Sequence, residues 1–285
     1  MSDEIKTAPN VAEPASDLGL FGPLSASWQI HGDPSGFVGG IRALLLQALS
    51  MRAMRAVTEF SDYRADPWGR LLRTSDFIMT TTYRSEVAAA NAIAQVRRVH
   101  ESISGFDPGS GQEYSASSPE LLAFIHNCFV DSMLASYQVF VRPLPPEIQL
   151  KYLAEQAVIA RALGAKMSAV ILDPSRLAPA IEGFSDIGMS EGARRAYEDI
   201  SNPSFPSLAV ILGPLWRLVF AAALDLLPPF AQEFYQVGDF RPAAILRART
   251  VASVAQVARL VLPSHPYLRS AKYQWYRQGT SSRHR

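Results

Sequence analysis

Residues 84–104 read Arg-Ser-Glu-Val-Ala-Ala-Ala-Asn-Ala-Ile-Ala-Gln-Val-Arg-Arg-Val-His-Glu-Ser-Ile-Ser. Ala89, Ile93, Val96, His100 and Ile103 recur at spacings of four, three, four and three. This spacing predicts one long helix whose apolar face carries an imidazole near its end. Neutral imidazole is the commonest metal ligand and a standard axial ligand of haem iron. A core histidine satisfied by hydrogen bonds fits the same stripe, so the stripe alone leaves both roles open. Gly105 is expected to close the helix.

The same helical vocabulary extends in both directions. Asp33-Pro34 and Asp66-Pro67 pair a capping side chain with a proline suited to a first turn. Ile41 to Phe60 is rich in Leu, Ala, Met and Arg and reads as one helix. Ser117 and Glu120 have capping-box spacing around Pro119, and the helix they start runs towards Val141. Pro145-Pro146 precedes a helix ending at Gly164. Asp173-Pro174 and Ser190-Glu191 start two shorter ones, and Pro242 to Leu262 forms the last long segment. Alternating runs typical of strands are scarce. The expectation is an all-α, globin-like single domain of about nine to eleven helices over residues 21–278, with loose tails at 1–20 and 279–285.

Composition sets outer limits. The 285 residues are 48% hydrophobic and 19% charged, enough for a large core. A net charge of +1 argues against nucleic acid as the main partner, which needs a concentrated basic face. The single cysteine, Cys128, cannot pair within the chain and reads as a small buried hydrophobe. No signal peptide is visible in the first thirty residues, so a cytoplasmic, reducing location is expected. Leu208 to Phe230 is mostly apolar, but Pro214, Arg217, Asp225 and Pro228-Pro229 interrupt it. It reads as a buried helix after Pro214, with peripheral membrane contact as the alternative.

Several polar groups stand where chemistry could occur. Arg97 lies one turn before His100, either on a solvated face or near an anionic cofactor edge such as a haem propionate. Arg70 and Thr74 are four apart and share a helix face, with Arg73 beside them. His126 falls on an apolar stripe with Leu122, Phe129, Met133 and Phe140. It is a second candidate ligand, or a pocket group, or a core histidine. His31, His265 and His284 fall in predicted loops or tails, and Gly39-Gly40 in a turn. The His-Glu-x-x-His zinc motif, the Glu-x-x-His pair of di-iron bundles, the nucleophile elbow, the P-loop and the dinucleotide fingerprint are all absent from the sequence.

Read in order, these segments resemble a known family. They are Gly39-Gly40-Ile41-Arg42-Ala43-Leu44-Leu45-Leu46-Gln47-Ala48-Leu49, Asp66-Pro67-Trp68-Gly69-Arg70-Leu71-Leu72-Arg73-Thr74, Val96-Arg97-Arg98-Val99-His100, Tyr114-Ser115-Ala116, Pro119-Glu120-Leu121-Leu122, Ile125-His126 and Val130-Asp131-Ser132. Their order and spacing, from about residue 25 to 165, are similar to the catalytic domain shared by the endoplasmic-reticulum-bound oxygenase MpaB and rubber oxygenase (latex-clearing protein). The resemblance implies a globin-like helical fold, a bound haem b with its iron, and O2-dependent attack on an apolar, isoprenoid-like small molecule. It places His100 as the proximal iron ligand, Arg70 and Thr74 beside the haem, and Arg73 close by. The chain also departs from the pattern: Ser50-Met51 stands where the family usually has His-Pro, Phe60 where many members have histidine, and Ser104 where rubber oxygenase has arginine. The alternative implied by these losses is a divergent member that binds haem or lipid without catalysis.

Overall fold

The computed structural model describes residues 17–60, 66–107, 111–205, 212–238, 241–261 and 264–281. The chain opens with α1 (Ala26–His31), α2 (Gly36–Ala48) and α3 (Met51–Phe60). α4 (Pro67–Tyr83) and α5 (Glu86–Glu101) follow, then strands β1 (Ser104–Asp107) and β2 (Gln112–Ser115). α6 (Pro119–Phe140) and α7 (Pro146–Leu163) lead through a 3-10 turn into α8 (Pro174–Glu182), α9 (Glu191–Ser201) and α10 (Gly213–Asp225). α11 (Pro229–Phe234), α12 (Arg241–Val261) and α13 (Pro266–Ser281) complete the series. The fold is therefore all-α, with thirteen α-helices and one antiparallel hairpin among the described residues. The expected tails fall largely outside these residues.

Many helix starts follow their capping residues. Asp66 accepts from the Gly69 amide, Ser85 from Ala88, Asp173 from Ser175 and Ser190 from Ala193. α7 ends on Gly164, whose φ of 99° is a left-handed conformation that glycine adopts without strain.

Several expectations change, each for a local reason. Pro119 takes the first helical position of α6, so its cap is Ser118 rather than Ser117. The segment 41–60 is two helices, not one. At the break, Ser50 Oγ donates to Asp186 and accepts from the Ala53 amide, while the Met51 amide donates to the Asp186 carbonyl and Gly188 to that of Leu49. The loop after α8 is thus wedged into what propensity alone reads as continuous helix. α5 stops at its cap Ser102; Gly105 lies instead in β1 opposite Tyr114, where a β-carbon would collide with the tyrosine ring. Gly39 sits inside α2, not in a turn.

α2 and α6 cross at the centre of the molecule. A β-carbon on Gly39 would lie 3.0 Å from the Ser132 carbonyl and 3.2 Å from Ser136 Cβ, so glycine lets the two backbones approach. Ser136 Oγ donates to the Ser35 carbonyl across the same contact. Leu45, Leu46 and Leu49 are fully enclosed between α2, α6, α10 and α11. Each such side chain contributes about 1.5–3 kcal/mol on leaving water. A second cluster joins α1, α6, α7 and α8 through Ile30, Val130, Tyr152, Leu153 and Leu177.

Arg42 lies inside this crossing. Its Nη1 donates to Ser132 Oγ at 2.7 Å, its Nε donates to the Leu226 carbonyl at 2.7 Å, and Asp131 Oδ2 is 2.7 Å from Nη1. The Asp131 contact is one of opposite charges rather than an aligned hydrogen bond. One guanidinium thereby ties α2 to α6 and to the end of α10. Arg42→Ala is expected to destabilise the fold by about 3–5 kcal/mol, because it strands a buried carboxylate. Adding Asp131→Ala should recover much of that loss. Urea denaturation of both variants checks this double-mutant cycle.

Candidate functional site

The two-residue link Arg84-Ser85 folds α5 back against α4. Arg70 lies thirteen residues before the end of α4 and His100 fifteen residues beyond Ser85. At ~1.5 Å rise per residue both stand roughly 20 Å from the link, so Arg70, Arg73, Thr74, Arg97 and His100 all gather at one end of the hairpin. α13 and α1 pack on α4, and α7 packs on α5.

Burial along the α5 stripe fades towards this end. Ala89 and Ile93 are buried, Val96 and His100 half-buried, and Arg97 exposed. Among the described residues no hydrogen bond reaches the His100 ring. Burial lowers its pKa below the ordinary histidine value, so the imidazole is neutral at pH 7. The neighbouring polar groups are engaged locally. Arg73 is exposed and lies 3.2 Å from Asp66. Thr74 donates back to the Arg70 carbonyl at 3.0 Å. Arg97 is 3.9 Å from Glu101, an exposed pair one turn apart.

His126 occupies a different setting on α6. It shares a face with Leu122, which packs against α7, and with Phe129, whose ring lies 5.6 Å from that of His31. Its Nε2 is buried and lacks a hydrogen-bond partner among the described residues. Burial drives the ring pKa down to about 4. His31 is its structural counterpart. It is neither in a loop nor isolated: it closes α1, fully enclosed, with Nδ1 2.8 Å from Thr82 Oγ1 and Nε2 2.9 Å from Tyr152 Oη. Burial lowers its pKa to about 3. The two imidazoles thus differ: His31 is enclosed with both nitrogens satisfied, whereas His126 is half-buried and its enclosed Nε2 is left over.

The arrangement is suited to donating imidazole nitrogen to an electrophile or a metal, since only the neutral ring has the free lone pair. Among the described residues no three His, Cys, Asp or Glu side chains converge into a metal cage. A haem asks for an axial nitrogen and an apolar slot; of these, His100 and His126 can each offer the nitrogen. Cys128 is fully buried and its thiol pKa is pushed up, chiefly by desolvation, as expected for an inert core residue.

One feature was not legible from sequence. A cavity of about 470 Å³ opens between the end of α8 and α11, lined by Glu182, Phe184, Ile187, Phe230, Glu233 and Phe234. Its two walls lie almost fifty residues apart in the chain, so no local motif marks it. None of the residues singled out above lines it.

Residues 28–260 match the family described as ER-bound oxygenase mpaB/B'/Rubber oxygenase, catalytic domain. The match runs almost a hundred residues past the stretch over which the sequence resemblance was traced. No curated protein and no solved structure matches the chain.

The unpaired histidine has a measurable consequence. A base whose folded pKa lies below its unfolded value of 6.5 takes up protons on unfolding, so stability present above pH 6.5 is lost as pH falls towards the folded value. Thermal melts of the parent should show progressive loss from pH 6.5 to about 4. His126→Gln should melt with a shallower acid slope across that window. An unchanged slope would mean that His126 is not held neutral by burial.

Proposed function

The chain belongs to the mpaB/rubber oxygenase catalytic-domain family, and from that membership we propose that it is a haem b-dependent oxygenase acting with O2 on an apolar, isoprenoid-like small molecule. The match across residues 28–260 carries this reading. The two neutral imidazoles support it, each held in the protonation state that ligates iron.

In this reading His100 supplies the proximal nitrogen from the end of α5. His126, half-buried on α6, offers its enclosed Nε2, unpaired among the described residues, as a hydrogen-bonding or second coordinating group. Arg70, Arg73 and Arg97 stand at the same end of the α4–α5 hairpin as His100, where a cation would meet carboxylates at a cofactor edge. Thr74 Oγ1, now donating to the Arg70 carbonyl, can turn to place its hydroxyl at that rim. The bound haem would activate dioxygen; the chain's part is to hold the axial nitrogen, keep the surroundings apolar and admit the substrate. Of the helix faces available, the α6 face of Leu122 and Phe129 beside His126 offers the apolar wall such a substrate needs.

A second reading, binding without turnover, rests on two positions. Ser50 and Phe60 stand where the family pattern has histidines. Ser50 is committed to Asp186 and to capping α3. Phe60 is half-exposed beside Tyr114, with ring centres 6.5 Å apart. Neither residue can donate an imidazole.

The deciding experiment uses protein from haem-supplemented cells. The parent should show a Soret band that His100→Ala loses. His126→Ala should keep the band at a shifted position. An unchanged Soret band in His100→Ala would overturn the ligand assignment, and a colourless parent under every loading condition would overturn the haem reading. Oxygen consumption with a polyisoprenoid separates the two functional readings: Arg70→Ala should retain haem and lower the rate at least about tenfold, whereas a haem-loaded parent that consumes no oxygen favours binding alone.

A further inference from the structure

The near-neutral net charge conceals a segregation. All 26 acidic residues precede residue 240, where they face 18 basic ones, whereas the 45 residues from Arg241 to Arg285 hold nine Lys or Arg and no Asp or Glu. Among those whose side chains are described, two are used internally. Arg247 pairs with Asp225 and Arg259 with Asp33, both at 2.6 Å, fastening α12 to the body. Arg249, Arg269 and Lys272 instead point into solvent.

Large apolar side chains accompany these cations. α12 buries one face through Val251 and Ala255. Its opposite face carries Leu246, Val257 and Leu260 around Arg249, and Leu246 and Leu260 are 66% and 83% exposed. α13 buries Leu268 and Ala271 against Trp28 and Tyr83. Its outer stripe, at spacings of three, one and three, is Arg269, Lys272, Tyr273 and Tyr276. An ordinary surface helix would carry mixed charges here.

We propose that the outer faces of α12 and α13 form a docking surface for an anionic lipid bilayer. Phosphate and carboxylate headgroups complement cations that lack acidic neighbours in their own segment, while the headgroup–acyl boundary receives leucines, valine and tyrosines together. A nucleic acid would satisfy the charges but would leave the aliphatic groups against a hydrated backbone. The other apolar segment, 208–230, exposes a smaller surface of this kind where it is described, Leu212 and Leu215 with the single cation Arg217. α10 packs Trp216, Phe220, Ala222 and Ala223 into the core. No helix among the described residues is long and apolar enough to cross a membrane, so this contact is one of lying on a surface. The proposal is independent of which cofactor the chain holds.

The full chain is mixed with vesicles of phosphatidylcholine alone or with phosphatidylserine and sedimented. Binding is expected only to the anionic vesicles, weakening as salt shortens the Debye length to about 3 Å at 1 M. The triple variant Arg249→Glu, Arg269→Glu, Lys272→Glu should bind at least about tenfold more weakly. Leu246→Ser with Leu260→Ser should keep the first, salt-sensitive encounter and lose the salt-resistant fraction. These residues are exposed, and circular dichroism verifies that the variants keep their helices. Equal binding to neutral vesicles, or variants that bind like the parent, would overturn the proposal. So would capture of duplex nucleic acid, or self-association abolished by the charge reversals, without vesicle binding.

Discussion

The structure depends on the close crossing of α2 and α6. Glycine at 39 brings the two backbones near enough that Arg42, from α2, can reach Ser132 and Asp131 on α6 and the Leu226 carbonyl beyond α10. The leucines at 45, 46 and 49 then fall into the same interior. A buried guanidinium is costly to desolvate, and it is tolerated here because every neighbour is an acceptor or a carboxylate. Such a node stabilises little against an apolar replacement of the whole group, but it fixes which helices meet and in what register. It orients α6, and α6 carries His126.

That orientation separates the two faces of α6. One meets α2 and the aromatic interior, where Phe124 stacks on Phe184 at 4.3 Å. The other meets α7 and α1 and holds Leu122, His126 and Phe129. α7 is in turn the helix against which α5 packs. The two candidate imidazoles therefore sit on helices that share a neighbour, half-buried His126 with its enclosed Nε2 on α6 and His100 where the α5 stripe emerges towards solvent. α1 is fixed to the same helix, since Glu155 of α7 accepts from the Ala26 and Ser27 amides and so caps it.

How much of this was legible in the sequence depends on how local the determining contact is. The α5 stripe was readable because its spacing is a property of one helix, and the burial of Ala89 and Ile93 follows it. The caps at Asp66, Asp173 and Ser190 were readable for the same reason. The break at Ser50 was not, because Asp186 lies 136 residues away and propensity favours a continuous helix. Gly39-Gly40 reads as a turn because glycine disfavours helices; the passage of α6 explains Gly39, while a side chain at Gly40 would meet open space. The short hairpin was missed because four-residue strands carry almost no periodic signal. Overall neutrality of charge is an average, and an average hides the concentration of cations after residue 240.

The histidines show the limit most sharply. Desolvation drives the pKa of both His31 and His126 down, so titration does not separate a structural imidazole from an available one. The partners do. Thr82 and Tyr152, which satisfy His31, lie 51 and 121 residues from it, beyond the reach of any helical spacing. The apolar stripe that drew attention to His126 would look the same with a hydroxyl waiting across from it or with none. A buried nitrogen without a partner is a standing cost of roughly 1–3 kcal/mol. Among the described residues other buried polar atoms share that condition, Trp28 Nε1 and Tyr114 Oη among them, so the unpaired nitrogen marks His126 as available without naming what would pair with it.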